Sequence, residues 1–377
     1  MRGPVPHPRR RPNDLKRKPS ASPTGTVDER SLPGAPRRGL ILAGLAVLVA
    51  GAVALGLALS GGSSAKPRRS ATASAATIGS QTSTKPAPKP QSSFAVGLRV
   101  VRLVDPTRVI TLANGSTQPR VLVTDVRYPA TGSPGPSDLP GAMPARASGP
   151  FPLVVFGHGF NVTPTLYARL LHAWAQAGYV VVAPVFPLEN AGAPGGPNES
   201  DLTNQPADIS FVISRVLASS RGGSDPLAGM IDPGAIAVSG QSDGGDTALA
   251  VAYDSRYRDP RVTAAVILSG AEIPASGSFT FPTAGPPLLA TQGTADVVNP
   301  PNLTEAFFEA AGRPKYLLRL IGAEHLPPYS DEQPQLGIVE RVTLAFLDGY
   351  LKRRSSQLRR LPALGSVPGT ASLVAEP

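Results

Sequence analysis

The sequence predicts a doubly wound α/β domain over residues 94–354, with a mostly parallel sheet of about eight strands and helices on both faces. Three observations carry this. Short continuous apolar runs recur through the stretch, as expected of strands covered on both faces. Amphipathic segments with helical spacing fall between them. One strand-to-helix junction carries Gly240-Gln241-Ser242-Asp243-Gly244, a Gly-x-Ser-x-Gly pattern suited to a very tight turn that lifts a serine hydroxyl out of the sheet. Glycine on both flanks removes the Cβ atoms that such a turn would bring into collision.

The segments before the domain read differently. Residues 1–38 are basic and proline-rich, with Arg9-Arg10-Arg11 and Lys16-Arg17-Lys18. They have no hydrophobic period, so a disordered arm is expected. Residues 39–60 contain no charged side chain. As a helix they would extend roughly 33 Å, enough to cross a bilayer core. Ten Lys/Arg precede this run and five follow it within residues 61–93. The positive-inside rule therefore expects a cytoplasmic N-terminus, a single transmembrane helix and a domain outside the membrane. A cleaved signal peptide is the competing reading. Residues 61–93, rich in Ser, Thr, Ala, Lys and Pro, read as an extended linker.

Within the domain, strands are expected at residues 95–104, 120–128, 152–156, 180–185, 235–239, 262–268, 287–290 and 316–321. Helical faces are marked by Leu166, Leu170, Leu171 and Trp174, and by Ile209, Val212, Ile213, Val216 and Leu217. Leu303, Phe307 and Phe308 mark a third, and Leu336, Val339, Phe346, Leu347 and Tyr350 a last one. Trp174 is expected to pack in the core. Residues 355–377 carry no clear pattern and are expected to be an unstructured tail. Two long loops, 188–206 and 271–286, read equally as lids over an acyl pocket or as inert insertions.

Charge and composition exclude several function classes. The net charge is +10, but residues 1–93 hold 15 Lys/Arg against 3 Asp/Glu, leaving 21 against 23 for the rest. The domain itself is near neutral, so a nucleic-acid partner is not expected. With no cysteine there is no disulfide, thiolate metal site, cysteine nucleophile or lipidated cysteine. No metal-ligand cluster, dinucleotide fingerprint or phosphate loop is present, and the chemistry needs no cofactor.

A serine nucleophile needs a base, because its own hydroxyl is far too weak an acid. Four histidines are available. His7 precedes the apolar run, and His172 sits on a helix. His158, in Gly157-His158-Gly159-Phe160, is expected to orient its loop. His325, in the loop after the last strand, is the expected base, with Pro327 and Pro328 stiffening its surroundings. Asp296, in the loop after the preceding strand, is the expected acid that fixes the imidazole, with Glu272 as rival. Backbone amides of Phe160 and Asp243 are the expected oxyanion donors.

Several segments together are similar to the α/β-hydrolase superfamily. They are Val126-Arg127-Tyr128-Pro129-Ala130, Val155-Phe156-Gly157-His158-Gly159-Phe160, Ala177-Gly178-Tyr179-Val180-Val181-Val182-Ala183-Pro184, the Ser242 turn, Gly293-Thr294-Ala295-Asp296 and Gly322-Ala323-Glu324-His325. The likeness covers residues 95–352. Within the superfamily it is nearest to the bacterial group of platelet-activating-factor acetylhydrolase-like, chlorophyllase-like and polyester-hydrolase (cutinase-type) enzymes. It implies a Ser242, Asp296, His325 triad, in that chain order, and ester hydrolysis through an acyl-enzyme. One departure is plain: many relatives carry His before the serine and Met or Arg after it, where this chain has Gln241 and Asp243. An acidic side chain there bears on substrate choice. The expected function is a membrane-anchored, extracytoplasmic serine esterase acting on small-molecule or lipid esters. Acyl transfer to a cell-envelope acceptor, and a degenerate hydrolase fold that only binds, are the alternatives.

Overall fold

The computed structural model describes residues 93–273 and 279–377. The expected arm and transmembrane helix, and all of the linker but Ser93, lie outside the described residues. Among the described residues, no helix is long and apolar enough to cross a membrane.

The domain begins with a long antiparallel hairpin, β1 (Ala95–Thr111) against β2 (Thr117–Ala130). Asp105 accepts from the Thr107 amide and the Arg108 guanidinium. That local knot lies where the register shifts between Asp105 and Val109. It carries β1 past the end of its apolar pattern. β3 (Leu139–Pro140) pairs briefly beside β1.

Strand–helix alternation follows. It comprises β4 (Phe151–Gly157), α1 (Ala168–Gln176), β5 (Val180–Val185), α2 (Gln205–Arg221), β6 (Ile231–Gln241), α3 (Asp243–Tyr253) and β7 (Ala264–Leu268). After these come β8 (Leu288–Gly293), α4 (Pro301–Ala310), β9 (Lys315–Leu320), α5 (Pro327–Ser330) and α6 (Gln335–Tyr350). The strands lie in one mixed ten-stranded sheet, ordered β10-β9-β8-β7-β6-β4-β5-β2-β1-β3. Strands β5, β4, β6, β7, β8 and β9 run parallel; β2 joins β5 antiparallel.

Both faces of the parallel core are apolar, which is why its strands read as unbroken hydrophobic runs. On β4, Leu153 and Val155 pack into one layer with Ile209, Val212 and Leu249. Val154 and Phe156 pack into the other with Leu170, Trp174, Val339 and Phe346. Each such side chain, once fully buried, contributes roughly 1.5–3 kcal/mol. Trp174 is core, its indole N–H donating to Thr343 Oγ1 at 2.9 Å.

All eight expected strands are present, and two more join them. The larger correction concerns residues 355–377, which are not an unstructured tail. They form α7 (Ser355–Leu358), α8 (Leu361–Gly365) and β10 (Ala371–Glu376). β10 pairs antiparallel with β9, from Ala371 opposite Leu320 to Glu376 opposite Lys315. The domain therefore continues past residue 354. The physical reason is edge protection: without β10 the ladder groups of β9 would face solvent. Leu361 is fully buried, and Leu358 packs against the backbone at Gly349.

Candidate active site

Three junctions at the carboxyl ends of β6, β8 and β9 meet at one rim of the sheet, where ligands of open α/β sheets bind. Ser242 occupies the β6–α3 junction with φ 55° and ψ −127°. A positive φ on a non-glycine residue stores about 1–3 kcal/mol, held by the surrounding structure. That structure is glycine-dependent. A methyl on Gly240 would run into the Gly244 carbonyl, and one on Gly244 would run into the Gly157 carbonyl.

The structure brings three of the expected side chains together. Ser242 Oγ lies 2.9 Å from His325 Nε2, and His325 Nδ1 lies 2.7 Å from Asp296 Oδ2. Asp296 Oδ1 accepts from the amides of Val298 and Asn299, both at 2.9 Å, and Oδ2 also accepts from Gln292 Nε2 at 3.1 Å. Burial pushes the Asp296 carboxyl up. Its bond to His325, the imidazole charge and the Asn299 and Gln292 donors outweigh that and hold it below the usual carboxylate range. An anionic Asp296 keeps the proton on Nδ1, leaving Nε2 free to accept from the serine hydroxyl. Glu272, the rival acid, is exposed at the surface. The Asp296 and His325 loops are tied to each other by Ala295 N–H to Ala323 O at 2.9 Å and Gly322 N–H to Thr294 Oγ1 at 2.8 Å.

The remaining histidines have other work. His7 lies outside the described residues. His172 binds Asp138 Oδ1 at 2.7 Å and the Gly135 carbonyl at 3.0 Å, clasping α1 to the loop before β3. His158 is fully buried; its Nδ1–H donates to Gly159 O and its Nε2 accepts from the Phe186 amide. Burial lowers its basicity to about 4, against the opposing pull of the Gly159 carbonyl. A neutral, doubly bonded imidazole shapes the loop after β4 and is unavailable as a base.

That loop lies against the Ser242 turn. A methyl on Gly159 would sit 3.1 Å from Ser242 Cβ. Phe160 follows directly, and the Asn161 amide is fixed to the Glu189 carbonyl at 2.8 Å. Asp243 opens α3, so its amide has no carbonyl one turn earlier to bond. The two expected oxyanion donors thus sit on segments that flank Ser242.

Sequence reasoning missed the supporting polar residues. Gln241 and Gln292 end or adjoin strands and brace the site from beneath: Gln241 Nε2 donates to the His325 carbonyl at 3.0 Å, and Gln292 holds Asp296. A buried acidic group stands on the other side. Burial, then the charge of Glu199, raises the Asp243 carboxyl to about 6 against the pull of His325. Glu189 is fully buried, and burial, then the charge of Asp243, raises it to about 9. The loop at 188–206 is pinned to the hairpin. Buried Arg120 binds Asp201 through two nitrogens, at 2.9 and 2.7 Å, and also grips Asp208 of α2. A swinging lid is not what this segment forms.

A cleft of about 580 Å³ adjoins the loop after β4, lined by Asn161, Leu166, Arg169 and Asp331 among others. Among the described residues, no group of acidic, histidine or cysteine side chains is arranged to hold a metal ion.

The family model for chlorophyllase matches residues 111–292, a stretch that includes Ser242 and stops short of Asp296 and His325. A ferulic acid esterase from Streptomyces cinnamoneus shares the fold, with a TM-score of 0.54 and 21% identity over 72% of this chain and 93% of that one. No curated protein matches the sequence. The family match over residues 111–292 and the shared sheet architecture support a likeness to α/β-hydrolases of the chlorophyllase-like group.

Proposed function

We propose that the chain is a serine hydrolase that cleaves carboxylic esters through an acyl-enzyme. Ser242 Oγ attacks the ester carbonyl carbon while its proton passes to His325 Nε2. Asp296 holds Nδ1–H and stabilises the imidazolium. The amides of Phe160 and Asp243 bind the oxyanion, where each such donor is worth about 10²–10³ in rate. Collapse expels the alkoxide, which takes the proton from His325. Water, deprotonated by the same imidazole, then attacks the acyl-serine, and a second collapse frees the acid and restores Ser242.

The single observation carrying this reading is the unbroken relay from Ser242 through His325 to Asp296, at 2.9 and 2.7 Å. The structural neighbour is itself an esterase, which agrees with it. Apolar side chains at the rim, Phe160, Leu166, Val297 and Val298, are exposed and favour a substrate with an apolar body: a small-molecule or lipid ester. The charge asymmetry about residues 39–60 further supports a membrane anchor with the catalytic domain outside.

The test is fluorophosphonate labelling and p-nitrophenyl ester turnover by the full chain and by Ser242→Ala. Turnover is expected to fall by roughly 10⁴-fold or more with loss of labelling; equal labelling and turnover in the two proteins would end the reading. Location is tested by protease added to intact cells. Cleavage of the catalytic domain is expected, and full protection until lysis would contradict an external domain.

A further inference from the structure

Gln241 does more than occupy the position before the nucleophile. It is the last residue of β6, fully buried, with both ends of its carboxamide engaged. Nε2 donates to the His325 carbonyl at 3.0 Å. Oε1 accepts from Tyr167 Oη at 2.7 Å, and that hydroxyl in turn accepts from the Gly159 amide at 3.3 Å. Tyr167 is also fully buried, on the turn that leads into α1. One side chain therefore joins the strand of Ser242, the backbone of His325 and the loop that precedes Phe160.

The other ties on the His325 loop do not do this. Bonds at Gly322 and Ala323 register that loop to residues 294 and 295, on the Asp296 side. They fix base to acid. Gln241 fixes base to nucleophile, with a backbone-to-side-chain bond that does not depend on the state of the imidazole. Gly159 shows how closely the third arm is fitted: a methyl there would stand 2.9 Å from Gln241 Oε1. A hydroxyl–imidazole contact of 2.9 Å leaves little slack, and a displacement of about 1 Å in a reacting pair can cost roughly 10²-fold.

Resting on the proposed Ser242–His325–Asp296 chemistry, we infer that Gln241 is a positioning residue: its carboxamide sets His325 against Ser242 and, through Tyr167, sets the oxyanion loop against both. Since the bonds hold reacting groups and not the substrate, their loss falls on the chemical step.

The experiment compares wild type with Q241E, Q241M and Y167F in the full chain. It measures kcat and KM on a p-nitrophenyl ester, the rate of fluorophosphonate labelling, and melting temperature. Q241M, and Q241E where its carboxyl is ionised, keep the side-chain volume but remove the donor to His325. Each is expected to lower kcat and labelling rate together by about 10–10²-fold, with KM within about threefold. Y167F removes one hydroxyl and unties only the Gly159 arm; it is expected to lower both rates by a smaller factor, about three- to tenfold, and it keeps the test open should a Gln241 variant fail to fold. The inference is overturned if Q241M and Y167F keep kcat within about twofold of wild type, or if the loss lies in KM alone. Ser242→Ala is run beside them. If it retains turnover, the chemistry on which the inference rests falls with it; if it is dead while the Gln241 and Tyr167 variants are unimpaired, only the positioning role falls.

Discussion

Replacing Glu189 by glutamine should make the protein more stable, and more so as pH rises. Glu189 is fully buried; its Oε2 accepts from Gln205 Nε2, while Oε1 has no hydrogen-bond partner among the described residues. Burial, then the nearby charge of Asp243, moves its carboxyl from 4.5 to about 9, so it is neutral in the folded protein at pH 7. The sign follows from linkage. Below about pH 4.5 the carboxyl is protonated in both folded and unfolded chains, and it contributes no pH-dependent penalty. Above that, the unfolded chain releases its proton and the folded chain does not. Stability then falls by about 1.4 kcal/mol per pH unit until the folded group titrates. By pH 8 the loss reaches about 3–5 kcal/mol, a large share of the 5–15 kcal/mol typical of a domain. Glutamine cannot ionise and keeps an acceptor for Gln205. Urea unfolding of wild type and Glu189→Gln at pH 5, 6.5 and 8 reads the difference directly. A small gain at pH 5 growing to about 3 kcal/mol or more at pH 8 is expected. A difference that is flat with pH, or one that favours wild type at pH 8, would refute the placement of a neutral carboxyl under the oxyanion loop.

Other perturbations give equally definite outcomes. Asp243 loses its proton near pH 6, and the anion stands beside an expected oxyanion donor. For a neutral ester, the ratio of kcat/KM for Asp243→Asn over wild type should be near one at pH 5 and rise through pH 6 to roughly tenfold at pH 8; a ratio independent of pH contradicts this. Asp296→Asn removes the acceptor that holds His325 Nδ1–H and should lower kcat by about 10⁴-fold with little change in melting temperature. Arg120→Met leaves Asp201 buried without its cation and Asp208 with Arg108 alone, and should cost about 3–5 kcal/mol in chemical denaturation. Leu361→Ala, in the segment that carries the chain to β10, should cost about 2–5 kcal/mol; a neutral result would mean the C-terminal elements add nothing to the domain.

What was legible in the sequence, and what was not, divides along one physical line. Buried parallel strands announce themselves because both of their faces must be apolar, so residues 180–185 stood out as the strand they form. The Ser242 turn was legible because its crowding excludes all but glycine at its flanks, and His325 because four histidines allow elimination. The far half of the β1–β2 hairpin was not, since most of its side chains face solvent and its register is interrupted by polar residues bonding to one another at Asp105. Nor was β10: six residues on an edge, half exposed, need no apolar run when the neighbouring strand supplies the ladder.

The same line runs through the site itself. Groups that react must be of particular types, and type is printed in the sequence. Groups that hold them in place need only a donor or an acceptor at one point in space, which many residues can supply and no local pattern marks. Gln241 meets Tyr167 across 74 positions and His325 across 84. Arg120 meets Asp201 and Asp208 across 81 and 88. Each contact exists only after the sheet has ordered its strands, so each is a consequence of topology that composition cannot announce. It follows that the positions separating one member of this fold from another lie less in the serine, histidine and acid than in the buried polar side chains behind them. In this chain those are Gln241, Glu189 and the half-buried Asp243, and exchanging them should redistribute rate and pH dependence without removing a reacting group.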